Sequence, residues 1–266
     1  MADREKHLDL GWDLLEQGEF AGALSTACAL LEEQPEDPEA LYLAGCAHLE
    51  MDEPDLAERM LRAALSQTDG PAPARVTLAM ALHRMCRFDE AAALAQEALQ
   101  SDPHDADAWH IRGLALEMAG RDAEAADCLE RSARLDPGRF RMPELMTQER
   151  FDAVVAEGLA GLPAEFRARL GDLPIVVREL PSPEILAHLD DPAPDLLGLF
   201  VGTPLTEKSI SDTPGLPDAI YLFRRNLQRS CLSEEELKEE IRTTLLHEIG
   251  HYLGMTEEDL EAAGYE

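Results

Sequence analysis

Apolar residues recur at helical spacing through the first half of the chain, and the pattern repeats every 34 residues without insertion. Each repeat has the length of two helices joined by a turn, which predicts antiparallel helix pairs. The register is kept across four units: residues 4–37, 38–71, 72–105 and 106–139. Proline breaks the chain near the end of three of them, at Pro35, Pro103 and Pro137.

Two positions of the repeat hold only small residues. The eighth position is occupied by Gly11, Gly45, Ala79 and Gly113. The twentieth position is occupied by Ala23, Ala57, Ala91 and Ala125. Because a bulky side chain at either position would hold the two helices apart, the pattern indicates close helix packing within each unit.

These features resemble the tetratricopeptide repeat family. Aromatic residues add to the match, with Trp109 at the fourth position and Phe20 and Phe88 at the seventeenth. Four residues depart from the family pattern: His7, Arg75, Pro54 and Asp122. The resemblance implies a curved helical solenoid with a protein or peptide partner on its concave groove. A spacer or an oligomerisation surface stays open as the alternative, and no oligomeric state is predicted.

The 34-residue period ends at residue 139, and a mixed pattern of helix and strand follows. Apolar spacing from Phe151 to Leu159 predicts a helix. Three apolar runs predict strands: residues 173–180, 196–202 and 219–223. The stretch between the last two runs, residues 202–218, predicts a long loop at the rim of a functional site. The expected fold is multidomain, with an all-helical domain at 4–139 and a small α+β domain at 145–266.

The chain of 266 residues has a formal net charge of −31, and residues 1–139 contribute −17 of it. Because the negative charge is spread over the whole chain, it argues against nucleic acid and against anionic membrane surfaces as partners. No apolar stretch has the length of about 18 residues that a membrane span requires. The five cysteines are scattered and include no C-x-x-C pair, and the first ten residues lack the apolar run of a signal peptide. We therefore expect a cytoplasmic protein with reduced thiols.

The stretch HEIGHYLGMTE, residues 247–257, carries the ligand spacing of a catalytic zinc site. His247 and His251 lie four residues apart, so on a helix both imidazoles can reach one ion. Glu248 between them is placed to act as the general base that activates a water molecule. An H-E-x-x-H string also arises by chance in roughly one chain in a hundred of this length. Its helical context, with a capping box at Ser233 and Glu236, favours the zinc interpretation.

A catalytic zinc site takes three protein ligands, and Glu257 is the candidate for the third. Gly254 can end the helix in a left-handed conformation and turn the chain back toward the metal. The spacing HExxHxxGxxE follows the metzincin pattern, with a carboxylate in place of the third histidine. In the alternative interpretation, Glu257 is only part of the acidic first turn of a short helix that Thr256 caps together with Asp259.

Residues 145–266 resemble the minimal zincin-like metallopeptidases, which are small bacterial domains with a short sheet and an active-site helix. The resemblance extends over MTQERFDAVVAEGLAGLP, LLGLFVGTPLTE, PDAIYLFRRNL and TTLLHEIGHYLGMTEEDLEAAGY. It implies a Zn²⁺ cofactor and a peptidase site, although relatives usually carry aspartate where Glu257 stands. A zincin lays its substrate along an edge strand, and residues 219–223 are the candidate for that neighbourhood. Three residues are unranked candidates to stabilise an oxyanion: Tyr221, Arg224 and Tyr252. For the two tyrosines the alternative is ordinary packing with the hydroxyl in water.

The sequence thus predicts a zinc-dependent peptidase whose repeats recruit a protein substrate or an adaptor. The alternative is a protein-interaction scaffold with a metal-binding but catalytically silent zincin-like domain. A fourth protein ligand would mark a closed, structural site. Cys231 is the thiolate to consider, and a helix over residues 233–251 would place it roughly 20 Å from His247.

Overall fold

The computed structural model describes residues 2–68, 70–142, 146–162, 164–171, 173–189, 192–203 and 218–263. The chain forms two compact units. The first contains Met1–Arg141 together with Pro183–Pro194, and the second contains Met142–Ser182 together with Asp195–Glu266.

Four helix pairs make up most of the first unit, as the 34-residue period predicts. The helices are α1 (Ala2–Glu16), α2 (Phe20–Glu33), α3 (Pro38–Glu50), α4 (Pro54–Ser66), α5 (Ala74–Arg84), α6 (Phe88–Ser101), α7 (Ala106–Met118) and α8 (Asp122–Leu135). Each helix packs on its neighbours in the chain, so the apolar stripes close into three core clusters along the repeats.

The small residues of the repeat lie where the helices of a pair touch. A Cβ atom at Gly45 would stand 2.6 Å from Cγ of Leu61, and one at Gly113 would stand 2.7 Å from Cγ of Leu129. The four alanines of the twentieth position are buried. The expectation of close approach within a unit is therefore confirmed for the second and fourth units, whereas a Cβ atom at Gly11 would first meet Leu43 of the next unit.

The turn inside each helix pair contains one residue in the left-handed conformation, always at the fifteenth position of the repeat. The four residues have φ between 57° and 78°: Gly18, Asp52, Cys86 and Gly120. Glycine and aspartate are common in this region of backbone space, whereas cysteine is unusual there. The four turns therefore share a left-handed residue at the same position, although the residue type differs.

Two helices of the repeats begin at an aspartate in the same repeat position. Asp37 accepts hydrogen bonds from the backbone N–H groups of Glu39 and Ala40, and Asp105 accepts one from Ala108. Asp37 is also paired with Arg4 of α1, which donates to both carboxylate oxygens. This arginine holds the pKa of the buried Asp37 carboxyl below its usual value. Among the described residues, Asp105 has no ion pair.

The five cysteines are free thiols. Cys46 and Cys128 are buried in the repeats, and burial raises the pKa of the Cys46 thiol to about 11. Cys28 is exposed. None of the helices that the structure describes has the length and apolar character of a membrane span.

The second unit is built around a three-stranded sheet with a long helix on it. Its elements are α9 (Gln148–Gly161), α10 (Ala164–Leu170), β1 (Ile175–Arg178), β2 (Gly198–Val201), β3 (Ala219–Phe223), α12 (Arg224–Ser230), α13 (Glu234–Leu253) and α14 (Glu257–Ala263). A single-turn helix, α11 (Pro183–Leu186), belongs to the first unit. All three strands and the α9 helix were predicted from the apolar pattern.

The order of the strands in the sheet is β1-β3-β2. β1 pairs with β3 in parallel, and β2 pairs with β3 antiparallel. One face of the sheet, with Ile220 and Leu222, packs on Ile241 and Leu245 of α13 in a core that includes Phe151 of α9. β3 is therefore the central strand, and β2 is an edge strand within the described residues.

We expect Gly45→Ala to lower the free energy of unfolding by about 1–3 kcal/mol, because the added methyl group overlaps Leu61 in a packed core. Gly22→Ala in α2 is the matched control. Its Cβ would lie 3.4 Å from Cδ1 of Leu14, so this change should stabilise the helix by about 0.5 kcal/mol. Urea denaturation of both variants measures the difference. Equal effects would show that close approach at Gly45 is not required.

We expect Asp37→Asn to destabilise the repeats by about 1 kcal/mol more than Asp105→Asn, since asparagine keeps both caps but only Asp37 loses an ion pair. The pKa of Asp37 is lowered in the folded state, so the stabilisation is present above the unfolded pKa near 3.9. It is lost as the pH falls through the folded value. Thermal unfolding from pH 7 to pH 3 should show the two variants converging. A gap that is as large at pH 3 as at pH 7 would contradict the ion-pair explanation.

Candidate metal and catalytic site

The α13 helix that carries the H-E-x-x-H motif is fixed at both ends. At its start, Ser233 Oγ accepts from the backbone N–H of Glu236, as the predicted capping box requires, while Glu236 reaches back to the N–H of Leu232. At its end, Gly254 has φ 81°, and Met255 N–H donates to the carbonyl of Gly250. This closing pattern, with a left-handed glycine after the last turn, confirms the predicted end of the helix.

His247 and His251 lie on one side of α13, one turn apart, and both are half-buried. Their Nε2 atoms are 3.0 Å apart, and their ring centroids are 4.6 Å apart. Two nitrogen ligands of a tetrahedral zinc ion at about 2.1 Å would stand roughly 3.4 Å from each other. The two Nε2 atoms are therefore close to the spacing that one metal ion requires.

Glu248 is buried, with only 7% of its surface exposed. Its Oε2 atom accepts a hydrogen bond of 2.6 Å from the backbone N–H of Phe200 in β2. A buried carboxylate needs such a donor, because loss of its hydration is otherwise uncompensated. The residue predicted as the general base is thus attached to the edge strand of the sheet.

β2 approaches α13 closely because one of its residues lacks a side chain. A Cβ atom at Gly198 would stand 2.5 Å from Cγ2 of Thr244 and 3.1 Å from Cγ of Glu248. Further along the strand, the ring of Phe200 packs edge-on against Tyr252, with centroids 5.5 Å apart. These contacts hold the strand along the helix turns that carry the motif.

The chain after Gly254 folds back onto α13. Leu260 of α14 is fully buried, and a Cβ atom at Gly250 would stand 2.2 Å from its Cδ2 atom. Asp259 caps α14 by accepting from the N–H and the hydroxyl of Thr256, while Thr256 Oγ1 accepts from Asp259 N–H. The predicted Thr256–Asp259 cap is confirmed. Glu257 is the first residue of α14, and its side chain lies outside the part of the chain that the structure describes.

The metal-binding side chains that the structure describes at this site, two histidines, fit zinc. Two imidazoles converge, and imidazole is a preferred zinc ligand. Among the described side chains no group of three metal-binding residues is gathered. Since the side chain of Glu257 is not among them, the predicted third ligand is not tested by this observation.

Three expectations about the neighbourhood of the site need correction. Residues 219–223 form the central strand of the sheet that the structure describes, so they are not an edge strand, and β2 is the edge strand beside α13. Gly198 and Phe200 of β2 face α13, so Leu199 between them points to the other face of the sheet. Tyr221 of β3 pairs with Leu199. Tyr221 therefore lies on the other face of the sheet.

Arg224 is also engaged elsewhere. Its guanidinium donates to Glu179 Oε1 at 2.6 Å and to the carbonyl of Met146 at 3.0 Å. Of the three candidates for oxyanion stabilisation, Tyr252 is the one whose backbone and ring lie beside the motif. The loop predicted to rim the site, residues 202–218, lies mostly outside the described residues.

Sequence reasoning missed Gly198, Phe200 and Gly250. The signal for Gly198 was a glycine inside an apolar strand run, which often marks a close approach of another element. Phe200 acts through its backbone amide, so its residue type carried no signal.

Two known protein families match different parts of the chain. Residues 8–73 and 76–140 match the family described as tetratricopeptide repeat, and residues 170–265 match the family described as zincin-like metallopeptidase. None of the curated proteins matches the chain.

Among solved structures, the chain is similar to helical repeat proteins. MamA is 23% identical with a TM-score of 0.44, over 56% of this chain and 81% of MamA. Pseudomonas aeruginosa PilF is 25% identical with a TM-score of 0.47, over 51% of this chain and 62% of PilF. YrrB, described as a TPR protein with an unusual peptide-binding site, is 21% identical with a TM-score of 0.43, over 57% of this chain and 73% of YrrB. By the two family matches, the chain combines tetratricopeptide repeats over residues 8–140 with a zincin-like metallopeptidase domain over residues 170–265.

Proposed function

We propose that this protein is a zinc-dependent peptidase whose repeats recruit a protein substrate or an adaptor. The observation that carries the proposal is the convergence of the His247 and His251 Nε2 atoms, 3.0 Å apart, next to a buried Glu248. Two imidazoles on one side of a helix, with a carboxylate residue between them in the chain, form the donor pattern of a hydrolytic zinc site. The match of residues 170–265 to zincin-like metallopeptidases supports the same chemistry.

His247, His251 and Glu257 are the proposed zinc ligands, and Glu248 is the proposed general base. A zinc ion bound there would supply a water ligand with a pKa near 7 and a Lewis acid for the scissile carbonyl. The Glu248 carboxylate would accept a proton from the attacking water and donate it to the leaving amine. Glu257 is proposed over Asp259 because Asp259 is already used by the cap of α14.

The edge strand β2 supports a peptide as the substrate. Phe223 N–H donates to the carbonyl of Leu197, so Leu199 and Val201 continue the hydrogen-bonded pairs with β3. The backbone groups of Gly198 and Phe200 then point away from the sheet. Their carbonyls can accept the N–H groups of an extended peptide lying beside the helix motif.

The repeats supply a separate surface for recruitment. In the first two units, Trp12 of α1 and Tyr42 of α3 lie with ring centroids 5.1 Å apart, and both are half-buried. Two partly exposed rings on the first helices of adjacent units suit an apolar side chain of a bound segment. The free thiols accord with the predicted cytoplasmic location, which stays a prediction from the sequence.

Replacing Glu248 with glutamine should leave the zinc content of the full chain unchanged while hydrolysis falls at least about 100-fold, because the amide cannot take the proton. Glutamine also keeps an oxygen that can accept from Phe200 N–H. Zinc is measured by elemental analysis, and cleavage is measured by mass spectrometry on a proteome-derived peptide library.

Glu240→Gln is the matched control on the same helix and should cleave the library at the wild-type rate. Equal rates for Glu248→Gln and wild type would remove Glu248 from the mechanism. If the zinc-loaded wild type cleaves no peptide of the library, the non-catalytic scaffold becomes the better description.

Glu257→Ala should weaken zinc binding by several kcal/mol, as expected for the loss of one of three protein donors. Asp259→Ala should leave zinc affinity near wild type, because this carboxylate is bound to Thr256. Competition of each variant against a fluorescent zinc chelator compares the two. Tight zinc in the Glu257 variant together with loss in the Asp259 variant would reverse the assignment.

A further inference from the structure

The hydrogen bond between Phe200 and Glu248 uses a backbone group that the sheet does not need. Phe200 lies at a position of β2 whose N–H points away from β3, and β2 has no other partner strand among the described residues. The bond of 2.6 Å therefore joins the free side of an edge strand to a side chain on α13, 48 residues away in the chain.

The second contact that sets the position of Glu248 comes from Gly198. A methyl group there would stand 3.1 Å from Cγ and 3.2 Å from Oε1 of Glu248, both of which are tight contacts. One face of the carboxylate is thus limited by the bare Cα of Gly198, while its Oε2 atom is held by the next outward-facing amide. Together these two residues restrict the side-chain torsions of Glu248.

We propose that Phe200, through its backbone amide, and Gly198, through its missing side chain, are positioning residues that fix the Glu248 carboxylate for proton transfer. The catalytic consequence rests on the proposed peptidase function, whereas the positioning itself does not. A general base must be within hydrogen-bond reach of the proton it takes, so a carboxylate that rotates away loses rate without loss of metal.

The positioning can be measured without any substrate. The chain has seven phenylalanines, so ¹⁵N-phenylalanine labelling of the full protein gives at most seven backbone amide signals. Phe200→Ala removes one signal and thereby identifies it. In the wild type this amide should exchange with solvent at least about 10-fold more slowly than in Glu248→Ala, because the carboxylate shields it.

Glu240→Ala is the control for this measurement, since it removes a carboxylate from the same helix without touching β2. Its Phe200 amide should keep the slow exchange of the wild type. Fast exchange in the wild type, or equal exchange in the wild type and Glu248→Ala, overturns the proposal whatever the enzyme activity is.

The effect on hydrolysis is tested with two substitutions at one position. Phe200→Ala and Phe200→Pro both remove the ring that packs on Tyr252, but only proline removes the N–H donor. Proline is tolerated at an edge-strand position whose N–H faces outward. On a peptide that the wild type cleaves, kcat should fall at least about 10-fold further in Phe200→Pro than in Phe200→Ala. Zinc affinity should be equal in the two variants.

Gly198 is tested in a background that keeps the fold. Gly198→Ala alone places its methyl group 2.5 Å from Cγ2 of Thr244, so it can disrupt the contact between strand and helix. Thr244→Ser removes that methyl group, and the double variant retains only the conflict with Glu248. We expect Gly198→Ala/Thr244→Ser to fold and bind zinc like Thr244→Ser but to cleave at least about 10-fold more slowly.

Equal kcat values for Phe200→Pro and Phe200→Ala, or full activity of the Gly198→Ala/Thr244→Ser variant, overturn the positioning roles even if the protein is a peptidase. A wild type that cleaves nothing would instead count against the proposed function. The amide exchange result would stand in that case, so the two failures are distinguishable.

Discussion

A carboxylate is not buried against a sheet without a donor, and Glu248 meets this requirement at the backbone amide of Phe200. The bond needs a strand whose N–H groups are not used by a neighbour, which places β2 at the edge of the sheet. It also needs the strand and helix to be in contact, which Gly198 allows. The position of Glu248 beside β2 depends on this bond, while the close approach at Gly198 and the packing of Phe200 on Tyr252 hold the strand along α13.

The repeats rely on the same physical constraint, close approach at a residue without a side chain. Gly45 sits under Leu61 in the second helix pair as Gly198 sits under Thr244 in the zincin-like domain. In the repeats the requirement recurs every 34 residues, so it is visible in the sequence as a periodic glycine or alanine. In the zincin-like domain it occurs once, and a single glycine in an apolar run is a weaker signal.

Much of the fold was predictable for that reason. Periodicity gave the four helix pairs, apolar runs gave all three strands, and turn and cap residues gave both ends of α13. The strand order was not predictable, because three short apolar runs do not show which strand lies between the other two. The fully apolar run AIYLF, with Ala219, Ile220, Leu222 and Phe223 buried, is in fact typical of a central strand. The prediction that this run lies at an edge of the sheet was wrong, and the expected position of Tyr221 near the site was wrong for the same reason.

The distance along the chain explains which site contacts were found. The Thr256–Asp259 cap spans three residues, and its motif is read directly from the sequence. The Glu248–Phe200 bond spans 48 residues and uses a backbone amide, which every residue except proline possesses. Arg224 shows the same limit, since its partner Glu179 is 45 residues away. Local hydrogen bonds therefore have sequence signatures, whereas the contacts that orient the proposed base become visible only once the sheet is assembled beside the helix.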